Sequence, residues 1–184
     1  KNPPLLTVLV LTIHAHVAYR DAIRQTWGSE ASKVVFIVGL NKNESVNANL
    51  IKEAERTKDI VMFDFIDSYF NLTYKVLMGF KWIKEHCNNT KYVMKADEDT
   101  FVDINVIYKK LQSPLWNDKI IGPYFTNQLC QRKGKYKVLI SSYPFHVYAP
   151  HVKGNMYLMP KDVAMKLLNV SYYMPYCNME DAYI

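Results

Sequence analysis

Short apolar runs and amphipathic stretches alternate along the chain. Residues 5–13 form an apolar run of strand length. Ala22, Ile23, Thr26 and Trp27 then recur at helical spacing over 19–27, with Gly28 where a C-terminal cap belongs. A second apolar run, 34–38, closes on Gly39. Ser45 is placed to cap a helix running to about Thr57, and residues 60–65 predict a third strand. The clearest helix covers 71–87, where Leu72, Val76, Leu77, Phe80, Ile83 and Cys87 recur at threes and fours opposite a polar face. A fourth strand is expected over 91–96, a helix over 104–111, a strand end at 120–123 and a loop over 143–151. Residues 155–159 predict a last strand, and Pro160 opens a helix to about Leu168. Apolar strands alternating with amphipathic helices predict an α/β fold with a mostly parallel sheet.

That fold class tells where to look for chemistry. In open α/β sheets ligands bind beyond the carboxyl ends of strands, where strand order reverses. The triplet Asp97-Glu98-Asp99 follows the fourth apolar run directly. Adjacent carboxylates repel and need a cation, a basic neighbour or water; hard divalent cations take such oxygens together with substrate phosphates. The alternative is a solvated turn in which Asp99 caps the next helix. Glu180-Asp181 offers a second acidic pair, suited to a general base or simply to a helix N-terminus. Arg20 and Arg24 lie four apart on one helix face, able to reach one anion or to sit on the surface.

Composition narrows the classes. The 184 residues are 49% hydrophobic, enough for one domain with a core. The net charge of +6 admits nucleic acid or a nucleoside diphosphate as partner. The basic residues are scattered, and no zinc-finger spacing or aromatic RNA-binding signature occurs, so no nucleic acid is expected. No Walker, dinucleotide-glycine or nucleophile-elbow pattern occurs either. No run of 18 apolar residues spans a membrane. Cys87, Cys130 and Cys177 form no CxxC, which disfavours zinc. Sequons at Asn43, Asn71, Asn88 and Asn169 are candidate N-glycosylation sites and lean towards a secretory compartment.

Several segments occur together in a recognisable order: 20–28 (RDAIRQTWG), 64–75 (DFIDSYFNLTYK), Lys81-Trp82, Cys87, 95–102 (KADEDTFV), Tyr143-Pro144, Gly154, Tyr157 and 180–183 (EDAY). On these segments the chain resembles the β1,3-glycosyltransferase family, which includes β1,3-galactosyl- and β1,3-N-acetylglucosaminyltransferases and, more distantly, the Fringe enzymes. The resemblance implies a GT-A-like mostly parallel sheet flanked by helices and an inverting transfer from a UDP-sugar. It implies Mn2+ as cofactor, with Asp99 as metal ligand and Asp97 and Glu98 facing the nucleotide. Arg20 and Arg24 would also contact the donor, and Asp181 would be the catalytic base. UDP-galactose or UDP-N-acetylglucosamine would be the donor, and a glycan on a glycoprotein or glycolipid the acceptor.

The resemblance further implies a type II protein of the Golgi membrane. Residues 1–184 would be a single catalytic domain, truncated at its C-terminus and separated from its upstream anchor. Two departures stand out. Glu98 occupies the middle of a motif that usually has three Asp, and the loop before the last strand has Gly154-Asn155-Met156 instead of a Gly-rich run. The family's second metal ligand, a downstream His, would lie beyond Ile184. A non-catalytic relative that binds sugar nucleotide or glycan is the alternative.

Overall fold

The computed structural model describes residues 5–184. Its main sheet contains β1 (Leu6–Leu11), β2 (Lys33–Leu40), β3 (Ile60–Ile66), β4 (Tyr92–Asp97) and a later strand, β7 (Met156–Pro160). The order is β3-β2-β1-β4-β7. The first four strands are parallel, and β7 runs antiparallel to β4. A two-stranded antiparallel ribbon, β5 (Tyr124–Phe125) with β6 (His151–Val152), stands apart from it.

Apart from Thr7, β1 is apolar throughout, because both its faces are covered. In β1, Leu9 and Leu11 enter one core, with Val76, Phe80 and Ile83 of α3 (Leu72–His86) and Leu168 of α5 (Lys161–Ser171). Leu6, Val8 and Val10 enter the other, with Ile23 of α1 (Val17–Gln25) and Ile104 and Leu111 of α4 (Ile104–Leu111). This is the two-residue period of a strand buried on both sides. Gly79 lets α3 approach the sheet closely, since a Cβ there would stand 2.8 Å from Leu9 Cδ1.

The predicted helices and the five main strands are present, most with shifted ends, but the strand end expected at 120–123 is only an isolated bridge from Ile121 to Leu158. The helix expected at 19–27 begins at Val17 and ends at Gln25, with Thr26 as its cap. Gly28 lies within a 3₁₀ turn, Trp27–Ser29. Asn43, rather than Ser45, caps α2 (Glu44–Thr57), its side chain accepting the Ser45 N–H. The helix after β4 is capped by Asp103, which accepts from Val106 N at 2.9 Å. Asp99 is therefore not the cap that the solvated-turn alternative required. The β5–β6 ribbon, whose second strand enters the expected 143–151 loop, escaped prediction, whereas the helix N-terminus offered as the alternative for Glu180-Asp181 is there, as α6 (Glu180–Tyr183). The whole is a GT-A-like arrangement, a mostly parallel sheet between helices, and its strand order reverses direction between β1 and β4.

Candidate active site

The carboxyl ends of β1 and β4 adjoin, with Leu11 paired to Asp97. Two clefts meet there, sharing Tyr69, Leu72 and Asp97. The first, about 470 Å³, is lined by Thr12, Ile13 and His16 after β1, by Lys75 of α3, and by Asp97, Glu98 and Asp99. The second, about 420 Å³, is lined by Lys95, Gly154, Asn155, Glu180 and Asp181 and by Gln128, Gln131, Tyr136 and Tyr148 of the β5–β6 connection. A further cleft of about 380 Å³ lies at the other end of the sheet, around the starts of β2 and β3. Its carboxylate, Asp59, is already held by Arg24 at 2.7 Å, so the acidic motifs and the chemistry belong to the first two.

The three acidic residues after β4 have different surroundings. Asp97 is half-buried, and its Oδ1 accepts from Lys95 Nζ at 2.6 Å. Burial pushes its carboxyl above the usual range, and Lys95 opposes that shift. Glu98 turns the other way, accepting from Thr12 Oγ1 and pairing with His16 Nδ1. Asp99 is exposed beside the first cleft.

Lys95 joins the two acidic motifs. Its side chain is 3% exposed; besides Asp97 it bonds the Gly154 carbonyl and stands 3.6 Å from Glu180 Oε2. Burial pulls its ammonium down, but Glu180 and Asp97 outweigh burial and hold it above its ordinary value. Glu180 is buried, and its other oxygen accepts the Tyr157 hydroxyl. Burial raises the Glu180 carboxyl, with Lys95 opposing. Asp181 is half-buried in the same turn of α6, its Oδ2 accepting from Gly154 N at 3.2 Å. Two acceptor atoms close to this cleft, Gln128 Oε1 and Asn155 Oδ1, have no hydrogen-bond partner.

Arg20 and Arg24 share a helix face and an ion-pair network. Arg20, fully buried, holds Glu53 at 2.5 Å and donates to Thr12 Oγ1 and the Ile13 carbonyl. Through Thr12 it is one residue removed from Glu98. Arg24 holds Glu53, Asp59 and Asp21 and lies farther along α1. Of the residues singled out by sequence, the structure thus gathers Asp97, Glu98 and Asp99 at one cleft and Asp97 with Asp181 at the other. Arg20 stands behind the first cleft.

Lys75, the last residue of the segment 64–75, is a functional residue that the sequence did not single out: it donates to the Thr12 carbonyl at 2.7 Å and to Asp67 at 2.6 Å, bracing the first cleft. A lysine on the apolar side of a helix was the available signal. Among the sequons, Asn43, Asn88 and Asn169 are exposed, whereas Asn71 is half-buried and donates to the Ile66 carbonyl.

The galactosyltransferase family model matches residues 18–184. Curated relatives include beta-1,3-galactosyltransferase 5 of Mus musculus, 35% identical over 195 residues, and of Homo sapiens, 33% identical over 193. Beta-1,3-galactosyltransferase 1 of Mus musculus is 35% identical over 197. Each comparison covers 100% of this chain and 63%, 62% and 60% of those proteins, so the chain spans about three fifths of their length. Among solved structures, 4-diphosphocytidyl-2C-methyl-D-erythritol synthase from Anaerococcus prevotii DSM 20548 has a TM-score of 0.52 at 9% identity, over 94% of this chain and 77% of that one. That is a likeness of fold alone. With the acidic motifs at the reversal point of the sheet and the family match across nearly all its length, the chain belongs to the galactosyltransferase family.

Proposed function

We propose that this chain is the donor-binding part of an inverting hexosyltransferase that moves galactose or N-acetylglucosamine from a UDP-sugar to a glycan hydroxyl in β1,3 linkage. The observation that carries it is the pair of adjoining clefts that share Asp97, one bearing Glu98 and Asp99, the other Asp181. The first cleft suits the nucleotide diphosphate; the second suits an acceptor. Asp181 takes the proton from the attacking hydroxyl, and that oxygen bonds to the anomeric carbon as the diphosphate leaves. The unpartnered oxygens of Gln128 and Asn155 are suited to receive hydrogen bonds from sugar hydroxyls.

Among the described residues, no three His, Cys, Asp or Glu side chains gather as a ready-made metal site. A cation bridged to a diphosphate needs only one or two protein carboxylates. Exposed Asp99 meets that need, with Asp97 close by, so the residues present fit Mn2+. Bound there, the metal would neutralise charge on the leaving diphosphate. Arg20 acts behind this cleft through Thr12, holding Glu98 in place. The exposed sequons accord with a lumenal domain of the Golgi type. No described helix is long and apolar enough to cross a membrane, and a type II anchor belongs outside these residues.

The test uses a full-length soluble form with either UDP-sugar, Mn2+ and a panel of glycan acceptors. Asp181→Asn is expected to lower transfer by about 10²–10⁴-fold. Undiminished transfer by that variant removes the base, and transfer indifferent to a chelator removes the metal. A second reading, sugar-nucleotide binding without turnover, is favoured by one observation: Glu98 is closed onto Thr12 and His16. Calorimetry showing UDP binding by an intact protein that transfers to no acceptor in the panel would establish it.

A further inference from the structure

The three cysteines are buried thiols in two separate places. Cys87 packs with Ile83 and Val93 in the core under α3. Cys130 and Cys177 lie together in a small cluster with Val138 and Tyr148. Cys130 belongs to the long connection between β5 and β6, and Cys177 shortly precedes Glu180-Asp181.

Each of the two is held in place by its backbone. Cys130 N donates to the His146 carbonyl at 2.8 Å, and Tyr148 N donates to the Gln128 carbonyl at 2.9 Å, so this part of the connection is folded back on itself. The Cys177 carbonyl accepts the buried hydroxyl of Thr73 on α3 at 2.7 Å. Next to it, Asn178 Nδ2 reaches the Lys137 carbonyl of the connection at 3.1 Å. That bond already joins the two segments beside Cys177, and Cys130 and Cys177 pack in one cluster. Burial pushes the Cys177 thiol up, and Cys130 is near enough to add to the shift.

The connection needs such a tie. Nearly all its side chains from 131 to 147 are exposed or half-exposed, with Val138 the one that is fully buried. A segment with so little core of its own is the kind that a covalent staple holds.

We propose that Cys130 and Cys177 form a disulfide that fastens the β5–β6 connection to the segment carrying Asp181, leaving Cys87 a free thiol. The bond forms between the two Sγ atoms as both S–H bonds are lost. The two protons and two electrons pass to a disulfide-bearing oxidant, a protein or small-molecule disulfide, whose own S–S bond opens to two thiols. The attacking species in such exchange is the thiolate. Both sulfurs are buried in the finished fold and burial holds the Cys177 thiol up, so the exchange takes place while the segments are still accessible.

The consequence lies in the second cleft. Gln128, Gln131, Tyr136 and Tyr148 of the connection line it together with Asp181, so the bond fixes one wall against the other. The meaning of that wall as an acceptor site rests on the proposed function. The bond rests on that reading only for its oxidising lumenal compartment, and it is measured without turnover.

The experiment takes the full-length protein from a eukaryotic secretory host, blocks thiols with iodoacetamide in denaturant, and maps peptides without reduction. The expected result is a linked Cys130–Cys177 peptide pair and an alkylated Cys87. Alkylation of Cys130 and Cys177 in the unreduced protein, or a bond from either to any other cysteine, overturns the proposal. The variant Cys130→Ser adds a control that needs no folded protein, because labelling is done in denaturant: Cys177 is expected to become alkylatable. A Cys177 that stays blocked in that variant has another partner, and the proposal fails.

Discussion

An ammonium as deeply buried as that of Lys95 is tolerable only with counter-charges, and it has two, one from each acidic motif. Removing the cation leaves Glu180 buried beside Tyr157 and Asp97 without its partner. Lys95→Met is therefore expected to cost about 3–5 kcal/mol of stability, measured as a shift in denaturant midpoint, and to depress transfer further than that loss of folded protein explains. Gly154 is the tight point of the same cluster. An added Cβ would lie 3.3 Å from Asp181 Oδ2, from Asp181 Cβ and from Glu180 Oε2. Gly154→Ala is expected to cost about 1–3 kcal/mol through crowding and to lower kcat more than it raises KM, because it displaces the proposed base. Steady-state kinetics on the folded variant checks this.

At this scale the acidic motifs were legible, since three adjacent carboxylates declare their chemistry in consecutive letters. Their partners were not. The pairing of β4 with β7 sets Lys95 opposite Tyr157, and α6 brings Glu180 to both of them.

Periodicity shows that two side chains share a helix face, but it does not show what that face meets. Arg20 and Arg24 on α1 illustrate this: their spacing was plain, but besides Asp21 on α1 itself their counter-charges sit on α2 and just before β3. Hydrogen bonds from Arg20 hold the Glu53 carboxyl below its ordinary range, against burial. Burial pushes Asp59 up, but Arg24 and Thr57 outweigh it and hold Asp59 low. A carboxyl depressed in the fold contributes stability above its unfolded value and loses it as pH falls through its folded value. The network therefore strengthens the α1–α2 pairing at neutral pH and weakens it in acid. Glu53→Gln is expected to cost about 3–5 kcal/mol at pH 7 by leaving Arg20 buried without a full charge partner. It is also expected to flatten the acid limb of the stability curve. Denaturation midpoints from pH 7 down to pH 3 check both, and an unchanged acid limb would remove the network from the account.

Apart from β5 and β6, which at two residues each are too short to carry a period, the long strands and helices of the molecule could be found one by one, because each announces itself by its own period. Their order in the sheet could not, because it depends on which helices cover which face, and no local pattern contains that. The consequence for function is large: the reversal between β1 and β4 is what brings Thr12 and His16 beside Glu98 and puts two clefts on either side of Asp97. If the first cleft takes the nucleotide, UDP with Mn2+ should protect one side and leave the other unchanged. Amide exchange is expected to slow at residues 12–16 and 97–100, with little change across 128–148. Stability should rise by about 2.7 kcal/mol when free UDP is at 100 times its Kd. Protection confined to 128–148 would reverse the roles of the two clefts. Protection that persists undiminished in Asp99→Asn would show that nucleotide binding does not depend on that carboxylate.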